Sequence, residues 1–320
     1  MTKVITRRIK PIVEEARSVA ASRRGNEAPV AAKPATSTAP VARNRNGKVY
    51  TQFRPQIRSR HPSHNCLRNA LPRVPFPSVI RFGSTTELPD TIDKGGKRVE
   101  VNTTDAVRIS SNKLLMKQAF DENEVKTAIW TRTGNAEELR RFFNEHGQIV
   151  AKSFFGSRGE GNTLISSMDE LNRFILANTI NNFVFEKYYN YVREYRLHVT
   201  AEGMFYTCRK MLKRDTPEGE RWYRNDSNCV WIVEENEDFD RPACWDAIVE
   251  QSVAALNAVG LDIGAVDVKV QSNTKNGTRR QNVDFIILEI NSAPSFGERT
   301  EILYKEELMK VLNAKYNASK

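Results

Sequence analysis

Cysteine and histidine are scarce in this 320-residue chain, four of each. Cys66, Cys208, Cys229 and Cys244 show no paired ligand spacing, which argues against structural zinc, and so few thiols in a chain this long do not make a disulfide scaffold. Long apolar runs are missing as well. No stretch approaches the roughly 18 apolar residues of a membrane-spanning helix, and the first 20 residues lack the apolar centre of a secretory signal. The expectation is a cytoplasmic protein with no membrane contact.

Beyond residue 76 an excess of basic charge is missing too. Residues 1–76 hold 16 Lys or Arg against three Asp or Glu, leaving 33 against 36 in the rest, so the net charge of +10 is a +13 leader on a body of −3. A globular domain with a basic nucleic-acid face is therefore excluded, although the leader itself suits an acidic partner, nucleic acid or protein. Large apolar side chains are nearly absent from 20–40, where Ala, Pro, Ser and Thr recur. Ordering that segment would cost backbone entropy with little burial in return. Residues 1–74 are expected to be a flexible basic arm.

What the body contains is alternating element signals. PSVIRFG at 77–83 reads as a buried strand and turn. Residues 105–120 have helical apolar spacing, with Thr104 as the cap. Strands at 127–130, 148–153, 163–166 and 182–188 then alternate with helices at 136–144 and from 167 or 168 onward. Strands at 194–200 and 204–211 flank a tight connection, and 214–227 reads as a mobile surface loop. A strand at 229–233, an amphipathic helix at 243–259, strands at 265–270 and 283–290, and a terminal helix at 300–312 complete the order. An α+β chain results, with a reduced N-terminal module at 75–125, one lobe at 126–190 and a second at 191–320.

Two groups of residues carry chemistry. In VAKSFFGSRGEG, Lys152 ends a strand, while Gly156, Gly159 and Gly161 let the following segment bend close to a ligand. Exposed backbone donors with Lys152, Ser157 and Arg158 suit triphosphate oxygens, yet three glycines also make ordinary hairpins, and the spacing is neither a Walker A loop nor a dinucleotide fingerprint. The second group is Asp267 in AVDVKV with Glu289 and Asn291 in IILEINSAP. Glu289 and Asn291 share one side of an extended strand, and two carboxylates with an amide oxygen suit Mg²⁺ completed by phosphate and water. The alternative is that Asp267 and Glu289 are ion-paired strand residues.

In their order along the chain, these segments resemble the ATP-grasp superfamily over about residues 100–300. The likeness is greatest to ligases that join a carboxylate to an amine, such as the ribosomal-protein glutamate-adding enzymes and the enzyme that joins two D-alanines. It extends to compact ATP-grasp proteins carried by tailed bacteriophages, for which the location would be the host cytoplasm. SSNK ending at Lys113 resembles the early ATP-contacting lysine, and VAKSFFGSRGEG the second lysine and phosphate loop. FEKY at 185–188 is similar to the adenine-side hinge, EYRLHV at 194–199 to the arginine-bearing strand, and DVKV with LEINSAPSFG to the metal-binding end.

The resemblance implies an ATP-grasp fold, two α+β lobes holding ATP between them, preceded by the reduced module and the disordered arm. It also implies roles. Lys113 and Lys152 would contact phosphates, Glu186, Lys187 and Tyr188 the adenosine, and Asp267, Glu289 and Asn291 the Mg²⁺. Arg196, Lys210, Arg224 and Asn225 would stabilise transferred phosphate or contact substrate. Lys269 would assist the acceptor or close an ion pair. The implied reaction is ATP-dependent ligation of a carboxylate to an amine through an acyl phosphate, and the short N-terminal module suits a protein or peptide as one substrate. Phosphotransfer to another acceptor and a non-catalytic nucleotide-binding role in a phage assembly are the alternatives.

Overall fold

Tyr50–Phe53 has strand composition, two aromatics around Thr and Gln, and in the computed structural model it forms β1. The structure describes residues 50–53, 67, 71–87, 98–156, 161–276, 278–280, 282–295 and 297–320. Strands β1, β2 (Ser78–Phe82) and β3 (Val99–Val101) form a sheet in that order, with both pairings parallel. This corrects the arm's boundary at residue 74. Tyr50–Phe53 lies within the expected arm yet supplies a ladder to β2, and Leu67 and Val74 are buried beside that sheet. Residues 1–49 lie outside the described residues.

The expected helix over 105–120 is two helices, α1 (Thr104–Ser111) and α2 (Lys113–Glu122). Asn112 breaks it by taking an extended conformation, and its side-chain oxygen accepts from Leu114 N at 2.9 Å and Leu115 N at 3.2 Å. The apolar spacing runs on across the break, so only Asn as a cap residue signals it. Thr103, not Thr104, caps α1, accepting from Ala106 N at 3.2 Å.

The middle of the chain alternates β4 (Trp130–Thr131), α3 (Ala136–His146), β5 (Ile149–Ser153), β6 (Asn162–Ile165), α4 (Met168–Ala177) and β7 (Phe183–Lys187). Its four strands form an antiparallel sheet ordered β4-β7-β5-β6. Ile149, Ala151 and Phe185 face Leu139 of α3 and Leu171 and Phe174 of α4 in one core. Alternation then turns Val150, Lys152 and Glu186 to the other face.

A second antiparallel sheet is ordered β10-β9-β8-β11-β14. Its members are β8 (Arg193–Thr200), β9 (Gly203–Leu212), β10 (Cys229–Val233), β11 (Ile263–Val270) and β14 (Phe285–Asn291). Between the last two, β12 (Thr274–Lys275) and β13 (Thr278–Arg279) make a hairpin inside the expected 271–282 loop. Tyr195, Leu197, Val266 and Val268 face α5 (Trp245–Ala258), together with Met116 and Phe120 of α2. Glu194, Arg196, Asp267 and Lys269 therefore occupy the opposite face, directly paired as Asp267 with Arg196 and Lys269 with Glu194.

Two boundaries of the expected partition cut through shared cores. Helices α1 and α2, assigned to the 75–125 module, bury Val107, Met116 and Phe120 on the five-stranded sheet. Helix α6 (Glu298–Ala318), assigned to the second lobe, buries Tyr304, Leu308 and Leu312 with Ile80, Phe82 and Val101 of the three-stranded sheet. No helix among the described residues is long and apolar enough to cross a membrane.

His198 is buried where β8 meets α6, with Nδ1 2.8 Å from the Tyr304 hydroxyl. Burial first, and Arg196 second, push its pKa down from 6.5 to about 3. The folded protein thus refuses a proton that the unfolded chain accepts. This contribution to stability is complete above pH 6.5 and is lost as pH falls toward 3. His198→Gln should remove about 2 kcal/mol of the loss between pH 6.5 and about pH 5. Urea denaturation at the two values checks this, and an unchanged pH dependence in the folded variant would contradict a neutral buried His198.

Candidate active site

A cleft opens between the polar faces of the four- and five-stranded sheets. On the first face, Lys152 Nζ lies 2.7 Å from Glu186 Oε2. The other carboxylate oxygen, Oε1, is 3.2 Å from Lys117 Nζ, close enough for ion pairing but without hydrogen-bond alignment. Lys117 in turn donates to Thr127 Oγ1 at 2.5 Å, and Thr127 Oγ1 donates to Ile287 O at 2.8 Å. Burial would raise the Glu186 pKa, but Lys117 and Lys152 outweigh it and hold the carboxylate below its ordinary range. Glu186 was expected to reach the adenosine. Its carboxylate is instead committed to two lysines, a buried arrangement that fixes where Lys152 sits.

The break at Asn112 puts Lys113 in the first turn of α2. Its backbone N–H donates to Phe154 O at 3.0 Å and its Nζ to Gly156 O at 3.0 Å, joining α2 to the glycine-rich segment. It is a buried lysine, and burial lowers its pKa, with Glu289 pulling it back up and Lys152 adding to the lowering. Gly161 has φ +75°, and a Cβ there would meet Ser153 Cβ at 3.3 Å, so the turn returning to β6 requires glycine. Ser157, Arg158 and Gly159 lie outside the described residues.

On the second face Asp267 is the hub. Arg196 binds it through Nε to Oδ1 and Nη2 to Oδ2, both at 2.8 Å, and Lys210 Nζ is 2.8 Å from Oδ2. Lys210 also donates to Glu194 Oε1 at 2.9 Å. The Trp231 ring flanks both cations, its centroid 5.0 Å from Arg196 Cζ and 5.5 Å from Lys210 Nζ. Burial opposes every charge here, yet Arg196 and Lys210 hold the Asp267 pKa far below the usual range, and Asp267 and Glu194 raise that of Lys210.

Segment 214–227, expected as a mobile surface loop, also reaches the cleft. Asn228 ties it down by donating to Tyr223 O at 3.1 Å, and Trp222, Tyr223 and Arg224 line the cleft. Arg224 donates through Nη2 to Val192 O at 2.6 Å and lies 3.8 Å from Glu194 Oε2, while its buried Nε has no acceptor. Asn225 is not among the cleft-lining residues. Its side-chain oxygen closes a turn, accepting from Ser227 N at 3.0 Å and Asn228 N at 3.1 Å.

The three expected metal ligands come together only in part. Glu289 sits directly opposite Asp267, beside a bulge that inserts Leu288 into β14. The Asn291 amide nitrogen donates to Glu289 Oε1 at 3.3 Å, which places two oxygen-bearing side chains together. Asp267 differs, because both its oxygens already accept from cations, Oδ2 twice and Oδ1 once, so Oδ1 is the oxygen that retains a lone pair for a metal. No cluster of three His, Cys, Asp or Glu suited to a metal occurs among the described residues. Glu289 and Asn291 fit Mg²⁺, which takes one or two carboxylates and fills its octahedron with water and phosphate; Asp267 fits as the anchor of Arg196 and Lys210.

In the segment expected at the adenosine, Lys187 N donates to Ile129 O at 2.8 Å and Tyr188 N to Gln148 O at 2.9 Å, so these two backbone donors are used within the fold. The apolar slot beside them is made by Val150, Ile286 and Leu288. Phe185 faces the helices as core. Burial pushes the Lys269 ammonium down to about 8, and its Nζ lies 4.8 Å from the centroid of the Tyr188 ring. Sequence reasoning missed Lys117, signalled only by its place four residues after Lys113 on a helix, and Glu194, signalled by its alternation with Arg196.

No protein-family model matches the sequence, and no curated protein matches it. Solved structures do. D-alanyl-alanine synthetase A from Vibrio cholerae O1 biovar eltor is 13% identical with a TM-score of 0.52, covering 74% of this chain and 76% of that one. D-alanine–D-alanine ligase from Bacillus anthracis is 15% identical with a TM-score of 0.53, covering 76% and 81%. The ATP-grasp ligase PsnB, solved with a minimal precursor, is 13% identical with a TM-score of 0.54, covering 83% of this chain and 99% of that one. With its two mixed lobes and the polar cleft between them, the chain has the ATP-grasp fold.

Proposed function

We propose that the chain is an ATP-dependent ligase that joins a carboxylate to an amine. The observation that carries this is the arrangement of cations around the cleft, Lys152 and Lys210 in its lining and Lys113 and Arg196 beside it. Lys113 and Lys152 stand at the glycine-rich segment, and Arg196 and Lys210 are fixed on one carboxylate of the facing sheet. In the first step a carboxylate oxygen attacks the terminal phosphorus of ATP, the bond to the bridging oxygen breaks, and ADP leaves. In the second, an amine nitrogen attacks the acyl carbon, phosphate departs with the electron pair of the broken C–O bond, and the amine gives up a proton.

Lys113 and Lys152 hold the polyphosphate, and Arg196, with its rigid fork of donors, neutralises the charge that develops on the transferred phosphoryl group. Asp267 and Trp231 keep that guanidinium in place before substrate arrives. Glu289 and Asn291 would hold Mg²⁺, which would supply neutralisation of phosphate charge. No protein nucleophile is needed, since alignment and electrostatics lower the barrier. One of the two substrates is a protein or peptide. The short N-terminal module, which leaves acceptor surface to be supplied by the substrate, supports this, as does the likeness to a ligase solved with a precursor.

Incubating native extract with ATP and either wild type or Lys152→Ala protein, followed by untargeted mass spectrometry, tests the reading. An amide formed with ADP and phosphate only by wild type is the expected result. A stable phosphorylated acceptor would replace ligation by phosphotransfer, and no nucleotide-dependent product would overturn both.

A further inference from the structure

The buried ammonium groups in and beside the cleft differ in what they face. Lys117, Lys152 and Lys210 each have a carboxylate oxygen within 3.2 Å. Lys269 pairs with no carboxylate among the described residues. Its Nζ donates to Trp222 O at a long 3.3 Å and meets the face of Tyr188, while Glu194 and Glu186 attract it only from beyond ion-pair distance. An ammonium carries three donors, and Lys269 is only 6% exposed. Removing it from water for one long hydrogen bond and one ring face is costly unless an anion completes its partners.

The strands indicate where along a ligand that anion lies. Lys269 is two residues from Asp267 on the same face of β11, about 7 Å along the strand. Tyr188, beneath its ammonium, belongs to the hinge. If a nucleotide lies with its base in the slot of Val150, Ile286 and Leu288 and its terminal phosphates toward Arg196 and Lys210, the part passing Lys269 is the junction of nucleoside and phosphates. Lys113 is a second buried lysine of the site whose described hydrogen bond goes to a backbone carbonyl, not a carboxylate.

We propose that Lys269 binds the α-phosphate of the nucleotide, a third lysine for the polyphosphate chain beside Lys113 and Lys152. This rests on the reading that the cleft takes ATP. It also makes Lys269 a binding residue in place of an ion-pair member or an acceptor's helper.

Calorimetric titration of the full chain with adenosine, AMP, ADP and ATP separates these ideas. Lys269→Met, which keeps the length of the side chain and removes its charge, should weaken AMP, ADP and ATP roughly tenfold, the loss of one charge-assisted hydrogen bond. It should leave adenosine unchanged, and Lys269→Arg should restore part of the loss. Equal affinities for wild type and Lys269→Met, or a parallel loss for adenosine, would overturn the proposal. Should the Met variant misfold, acetylation of wild-type Lys269 by acetic anhydride, followed by peptide mass spectrometry, decides it. AMP should slow modification and adenosine should not, and equal rates with and without AMP would overturn the assignment. Wild type that binds none of the nucleotides would instead overturn the ATP reading itself.

Discussion

Asp267→Asn is expected to destabilise the protein by about 3–5 kcal/mol, the cost of leaving buried charge without its counter-charge. Asp267 is 4% exposed and accepts three hydrogen bonds from Arg196 and Lys210. Asparagine keeps the volume but replaces one accepting oxygen with a donor and removes the negative charge. Lys210 retains Glu194, whereas Arg196 loses its bidentate partner. Adding Arg196→Met to Asp267→Asn should recover part of the lost stability, since the stranded guanidinium is then gone. Chemical denaturation of the two single variants and the double variant measures the coupling directly. Wild-type stability in Asp267→Asn would show that the carboxylate does not anchor the two cations.

Glu289→Gln has the opposite signature. Glu289 is partly exposed at the cleft, and among the described residues only the Asn291 amide donates to it, at 3.3 Å. The neutral isostere should therefore change folding stability by no more than about 0.5 kcal/mol. Turnover should fall roughly 100-fold, because an electrostatic contribution is lost where phosphate charge develops, and the concentration of Mg²⁺ needed for half-maximal activity should rise. Thermal denaturation beside ATP turnover across a Mg²⁺ series reads both quantities. Unchanged turnover and Mg²⁺ dependence in the folded variant would remove Glu289 from metal binding, and a large loss of stability would make it a structural residue.

The contrast between these carboxylates also shows what was legible in the sequence. Period-two alternation, read in the sequence only for Glu289 and Asn291, also holds on β8 and β11, with Glu194, Arg196, Asp267 and Lys269 on one face and Tyr195, Leu197, Val266 and Val268 on the other, because one face of this sheet is apolar core. Alternation has no information about which neighbour a charge chooses. Asp267 suits both a metal and an ion pair in the sequence, and the pair follows from a direct register with Arg196 on β8 that local alternation does not reveal. Asn225 has the expected order along the chain and lies in a tight turn that engages its side-chain oxygen. The break at Asn112 was hidden because apolar spacing continues on both sides of it, yet that break is what brings Lys113 to Gly156. Strand β1 was hidden by the basic composition around it, since pairing with β2 depends on the parallel partner and not on local charge.

Titration of wild type with Mg-ATP tests the central claim most directly, because the lysines, the arginine and the hinge are all interpreted through one bound nucleotide. One saturable site per chain is expected, weakened about tenfold or more in Lys152→Ala and to a smaller degree in Lys113→Ala, with circular dichroism showing both variants folded. Lys152 should matter more because the buried Glu186 fixes its position, whereas Lys113 is held by a single carbonyl. Folded wild type with no saturable Mg-ATP binding, or both variants binding as tightly as wild type, would contradict the account.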